Sequence, residues 1–154
     1  MSDPYADIRP YRDEEVAPVL ARLLADREFL GAIASLRLGR LASLAPALVR
    51  PLVRFLLNRE VRGVNDIAAM QDVIKRYMDR MIESTTGGFS ISGLEQLAPD
   101  RAYLFMSNHR DIAMDPAFTN YALYQGGRDT VRIAIGDNLL TKPWASDLMR
   151  LNKS

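Results

Sequence analysis

The chain has 154 residues, of which 48% are hydrophobic, and this size and composition fit one folded domain and exclude disorder of the whole chain. Its 20 basic and 19 acidic side chains nearly cancel to a net charge of +1. Because there is no cysteine, the sequence excludes disulfides, thiolate metal sites and thiol nucleophiles, and it indicates a cytoplasmic protein.

The first thirty residues carry several acidic side chains and no apolar core of the signal-peptide type, so we expect no secretion. They also contain the first predicted helix, residues 13–30, with Asp13 as a candidate cap. A second helix is expected from about Leu44 to near Gly63, with two prolines close to its start. A third follows Asn65 or Asp66 and ends before Gly87.

Residues 31–62 form a locally basic block, because they hold six arginines against the single acid Glu60. The arginines interrupt the apolar run, so we expect no membrane-spanning helix. Leucines interleave with them, and such a segment could lie on an anionic membrane surface. The alternative is an ordinary helix pair with leucines in the core and arginines in water. Exposed aromatic residues are too few here for a nucleic-acid interface.

The pattern changes from helical to strand-like after residue 88. Residues 89–93 alternate, residues 102–106 are a short apolar run, and residues 131–135 are rich in β-branched side chains. A helix is expected between the last two, over about 116–124. The sequence therefore predicts an α/β fold, with a helical N-terminal region over 1–86 and, over 87–154, the start of a partly parallel sheet with flanking helices.

His109, the only histidine, lies just past the predicted strand 102–107, where α/β sheets present active-site loops. Asp111 and Asp115 follow it at two and six positions. A carboxylate on one imidazole nitrogen leaves the other free to accept a proton, which is a general-base arrangement. The alternative is structural, since Asp115 followed by Pro116 is also a common way to begin a helix.

These residues resemble a known family. Ser107-Asn108-His109 after an apolar strand, followed by Asp115-Pro116, resembles the first sequence block of the glycerolipid acyltransferases. The approach over 89–97 resembles the strand and turn that precede this block in that family. The run 108–115, together with the segments 133–140 and 148–154, resembles a bacterial branch of it. The resemblance covers residues 88–154 well and the helical first half loosely.

The resemblance implies a role in phospholipid biosynthesis. A fatty acyl group would pass from acyl-CoA or acyl-carrier protein to a hydroxyl of glycerol-3-phosphate or a lysophospholipid, with no cofactor and no metal. His109 would be the general base and Asp115 the acid that orients it. The family places four residues between histidine and acid, whereas five stand here, so Asp111 is the alternative partner.

The later blocks of the family, which include its phosphate-binding arginine, do not appear in the sequence. We therefore expect an incomplete acyltransferase domain, working at the inner face of the cytoplasmic membrane as a peripheral protein. The alternative is a non-catalytic helical module that binds a membrane or a protein.

Overall fold

The computed structural model describes residues 4–39, 42, 45–108, 110–136, 138 and 140–154. The chain divides into two compact units. The first unit comprises residues 1–74 and 134–154, and the second unit comprises residues 75–133. The predicted domain boundary between residues 86 and 87 stays a prediction.

The helices of the first unit pack around one apolar core. They are α1 (Asp13–Ala25), α2 (Arg27–Leu38), α3 (Pro46–Glu60), the first turns of α4 (Ile67–Thr85) and α6 (Pro143–Leu151). Val16, Val53 and Leu151 are fully buried at its centre. None of the helices in the described part of the chain is long and apolar enough to cross a membrane.

The helix predicted over residues 13–30 is two helices that meet at Asp26. The Asp26 backbone is extended, and its carboxylate accepts a hydrogen bond of 2.8 Å from the backbone N–H of Phe29. An extended residue that caps the next helix ends the previous one, although the apolar spacing runs on without a break. The sequence therefore predicted helical structure correctly in this region, but it predicted one helix where the structure has two.

The two following helices are confirmed. Helix α3 begins at Pro46, and the predicted start near Leu44 lies outside the described residues. Helix α4 begins after Asp66, whose carboxylate accepts a 2.7 Å hydrogen bond from the N–H of Ala69. Asp66 is therefore the cap, of the two candidates that the sequence offered.

A buried carboxylate joins α6 to the N-terminal part of the first unit. Asp147 accepts hydrogen bonds of 2.8 and 2.7 Å from the Arg22 guanidinium and one of 2.6 Å from the Tyr11 hydroxyl. Burial alone would raise the pKa of Asp147, but these two partners, with the nearby Arg150 charge, lower it below its ordinary value. The carboxylate therefore stays ionised and holds the two ends of this unit together.

The second unit contains the rest of α4, a short 3-10 helix (Leu94–Gln96) and α5 (Met114–Gln125). Phe89 stacks on Phe118 with ring centroids 5.3 Å apart, and it meets the edge of Tyr121 at 5.4 Å. The buried Asn120 donates a 3.2 Å hydrogen bond to the Val131 carbonyl and accepts one of 2.9 Å from its N–H. This side chain fixes the segment after α5.

The predicted α/β fold class is wrong. Over the described residues the chain forms helices, turns and irregular segments, with no strand and hence no partly parallel sheet. A strand needs a neighbour for its backbone hydrogen bonds, and residues 89–93, 102–106 and 131–135 are not paired with one another. Leu104 and Met106 are 84% and 85% exposed, so the apolar run faces solvent instead of a second layer.

Candidate functional site

The candidate site is a loop in the second unit that connects the irregular segment 102–106 to α5. Ser107, Asn108 and Arg110 are exposed. His109 lies outside the described residues, so its proposed role as general base rests on the sequence. The geometry of the site is that of the residues on either side of it.

Asp111 caps the start of α5. Its Oδ1 accepts two hydrogen bonds of 2.8 Å, from the backbone N–H groups of Ala113 and Met114. The first N–H groups of a helix have no partner within the helix, so this carboxylate satisfies two of them. Its negative charge also lies at the positive end of the helix dipole. The sequence offered Asp115 as the cap, but the N-cap residue is Ala113, and Asp111, two residues earlier, supplies the carboxylate that accepts these bonds.

Asp115 bonds in the opposite direction, back into the loop. Its Oδ2 accepts hydrogen bonds of 2.6 Å from the N–H of Arg110 and 3.1 Å from the N–H of Asp111. Because α5 begins at Met114, Asp115 is the second residue of the helix and Pro116 the third. Asp115 therefore holds the backbone of the two residues that directly follow His109.

The two carboxylates thus form a reciprocal pair. One reaches forward to the helix and the other reaches back to the loop, in the manner of a capping box with wider spacing. Residues 110–113 are not helical, so the loop that a contact between His109 and Asp115 requires is present. Both described hydrogen bonds of the Asp115 carboxylate use Oδ2. Its Oδ1 has no hydrogen-bond partner among the described residues.

A cleft of about 590 Å³ opens in the same unit. Its wall includes Tyr103 and Phe105 from the segment before the site, together with Leu123 and Val131. Arg128 lies in this wall and donates hydrogen bonds to the carbonyls of Leu94, at 3.2 Å, and Leu97. The volume falls in the range of about 300 to 1,000 Å³ that is usual for small-molecule sites.

Tyr121 in α5 is held by a charged group. Its hydroxyl donates a 2.7 Å hydrogen bond to Asp79, which also pairs with Lys75 at 2.7 Å. The bond to Asp79 raises the pKa of Tyr121, and the bond from Lys75, followed by that from Tyr121, lowers the pKa of Asp79. This ion pair anchors the helix that begins at the site, and it is a contact that the sequence did not reveal.

The described residues contain no group of three or more histidine, cysteine, aspartate or glutamate side chains that could hold a metal ion. The carboxylates of Asp111 and Asp115 both accept hydrogen bonds from backbone N–H groups. The arrangement is suited to positioning a loop and to supporting a proton acceptor within it.

Residues 88–154 match the model of the family described as Acyltransferase. The match covers the C-terminal part of the chain, somewhat less than half of its length. The resemblance inferred from the sequence is confirmed at this level, and the match supports acyltransferase activity with an acyl donor and an acceptor. No curated protein and no solved structure gives a match to the chain.

Proposed function

We propose that this acyltransferase segment acts in glycerolipid synthesis, moving a fatty acyl group from a thioester to a hydroxyl of glycerol-3-phosphate or a lysophospholipid. The observation that supports the proposal is the family match over residues 88–154, which contains the loop organised by Asp111 and Asp115. The residues on either side of His109 in the chain, Asn108 and Arg110, are exposed.

The proposed reaction is direct transfer without a covalent enzyme intermediate. His109 takes the proton of the acceptor hydroxyl while its oxygen attacks the thioester carbonyl. The new carbon–oxygen ester bond forms, the carbon–sulfur bond breaks, and the proton passes from His109 to the departing thiolate. A base with a pKa near neutrality suits both the removal and the return of that proton.

Asp115 is the carboxylate that we assign to His109. It fixes the backbone of Arg110 and Asp111 through Oδ2, and its Oδ1 is without a hydrogen bond to any described residue. Asp111 accepts hydrogen bonds from the N–H groups of Ala113 and Met114 at the start of α5. Pro116 follows Asp115, as in the sequence block that this segment resembles, so we propose Asp115 as the positioning residue for His109.

The donor would be acyl-CoA or acyl-carrier protein, and the setting would be the inner face of a bacterial cytoplasmic membrane, where long-chain donors and lipid products partition. A second candidate is a non-catalytic module that binds a membrane or a protein. It is favoured by the exposed apolar side chains of α3, among them Leu48 and Phe55. This module would bind through the first unit and leave His109 without a chemical role.

The test is product formation, measured by mass spectrometry, with each donor offered together with each acceptor. We expect one pairing to give a new ester, and we expect His109→Ala to abolish it while the circular dichroism spectrum is unchanged. Asp100→Asn, an exposed substitution in the same unit, is the matched control and should retain the parent rate. Turnover that survives His109→Ala would contradict the catalytic proposal.

A further inference from the structure

Helix α3 has apolar side chains on two sides. Val53 and Leu57, four residues apart, are buried in the core of the first unit. Leu48, Leu52 and Phe55 follow one another at spacings of four and three, so they share the other side of the helix. They are 76%, 52% and 64% exposed. The fold uses the first side, and the second side, hereafter the α3 outer face, is accessible.

Positive charge lies on and beside the α3 outer face. Arg59 lies on the same side as Leu52 and Phe55, by its spacings of seven and four, and Arg54 is exposed further around the helix. Neither of these two arginines forms an ion pair with a described residue.

Between residues 46 and 62 the one acidic residue is Glu60, and it pairs with Arg37 at 2.8 Å. Its charge is thus already matched by a residue outside α3. The arginines around the outer face therefore keep their full positive charge for a partner.

We propose that the α3 outer face binds the surface of an anionic lipid bilayer. Exposed leucine and phenylalanine side chains match the acyl region just below the headgroups, and arginines match the lipid phosphates. Arginine stems can extend along the apolar layer while the guanidinium reaches the headgroup. A second copy would instead bring like charges together, which opposes pairing.

This inference makes the membrane part of the proposed function specific and rests on it, but it does not require catalysis. The experiment is co-sedimentation of the full chain with vesicles of phosphatidylcholine alone and with vesicles that also contain phosphatidylglycerol. We expect binding to the anionic vesicles only, and we expect it to weaken as salt is raised.

Two sets of variants test the face itself. Arg54→Gln with Arg59→Gln should weaken binding by roughly twenty- to thirtyfold, at about fivefold for each arginine near a bilayer surface. Leu48→Ser with Phe55→Ser should weaken it by at least about tenfold, because two apolar side chains leave the acyl boundary. All four residues are exposed, so the helical circular dichroism signal should be unchanged.

Matched control variants distinguish binding by the α3 outer face from nonspecific adsorption to vesicles. Leu104→Ser removes a side chain that is 84% exposed in the second unit, and it should leave binding unchanged. Arg27→Gln with Arg76→Gln removes two exposed arginines outside α3, and it should weaken vesicle binding much less than the α3 arginine variant does. His109→Ala should bind vesicles like the parent, so a failure of catalysis is distinguishable from a failure of membrane binding.

Equal binding to neutral and anionic vesicles, or full binding by either α3 variant, would overturn the proposal. So would self-association that Leu48→Ser with Phe55→Ser abolishes in a chain that binds no vesicles, because the face would then belong to a second copy. Capture of an acidic protein without vesicle binding would overturn it in the same way.

Discussion

The roles of the two carboxylates that follow His109 can be distinguished by replacing each aspartate with asparagine. An asparagine side-chain oxygen still accepts backbone hydrogen bonds, so Asp111→Asn and Asp115→Asn remove charge while keeping the shape of the loop. Each aspartate accepts two backbone bonds, of 2.8 and 2.8 Å at Asp111 and of 2.6 and 3.1 Å at Asp115. The two variants therefore perturb the loop to a similar extent.

The expected loss of stability is small and similar in both variants. A charged acceptor at the first turn of a helix is worth about 0.3 to 1 kcal/mol. Weakening two exposed hydrogen bonds adds a comparable amount. We expect the free energy of unfolding to fall by about 1 kcal/mol in each case, as measured by urea denaturation followed by circular dichroism.

The expected loss of activity differs. If Asp115 stabilises the protonated His109 in the transition state, Asp115→Asn should slow acyl transfer at least about 100-fold, or about 2.7 kcal/mol. If Asp115 is the carboxylate that supports His109, Asp111→Asn should change the rate by less than about threefold. Equal losses in the two variants, or a larger loss at Asp111, would refute the assignment.

Two further predictions concern stability. The Arg9 guanidinium lowers the pKa of Glu15 from 4.5 to about 2, so this ion pair stabilises the fold fully above pH 4.5 and is lost as the pH falls from there towards 2. After solvent screening, Glu15→Gln should cost about 1 kcal/mol at pH 7 and little near pH 2, and the neighbouring exposed Glu14→Gln should show no such difference. Asn120→Leu should lower the free energy of unfolding by about 1 to 3 kcal/mol in urea, because Val131 loses the partners of both its N–H and its carbonyl, and an unchanged midpoint would contradict that role.

Helices of the first unit could be predicted where the sequence carries a clear signal for the start of the helix together with helical apolar spacing. Helices α3 and α4 follow from apolar spacing, a first-turn proline at Pro46 and a cap at Asp66. Helix α6 was not predicted, although Pro143 at its first position and the spacing of Trp144, Leu148 and Leu151 are helical signals. Its nine residues are too short for periodicity alone to be decisive.

The predicted sheet failed for a different physical reason. An apolar run such as residues 102–106 favours an extended backbone, and that segment is indeed not helical. Pairing is a long-range property, however, and a single sequence does not state which segment would lie beside it. The contact of Arg22 with Asp147 is long-range in the same sense and was not foreseen.

The site residues stay a prediction. The sequence selected the segment from Ser107 to Pro116, and residues 88–154, which contain it, match the Acyltransferase family model. The sequence did not reveal that the Asp111 carboxylate bonds to the start of α5 while Asp115 reaches back to the loop. That division of roles depends on where the helix begins, and the observed start at Met114 is two residues earlier than the predicted start at Pro116.

The most direct measurement is the rate of ester formation from a long-chain acyl thioester and a lysophospholipid or glycerol-3-phosphate, by the parent chain and by His109→Ala side by side. The account predicts transfer by the parent and a loss of at least about 100-fold in the folded variant. A folded His109→Ala that transfers acyl groups at the parent rate would contradict the central claim.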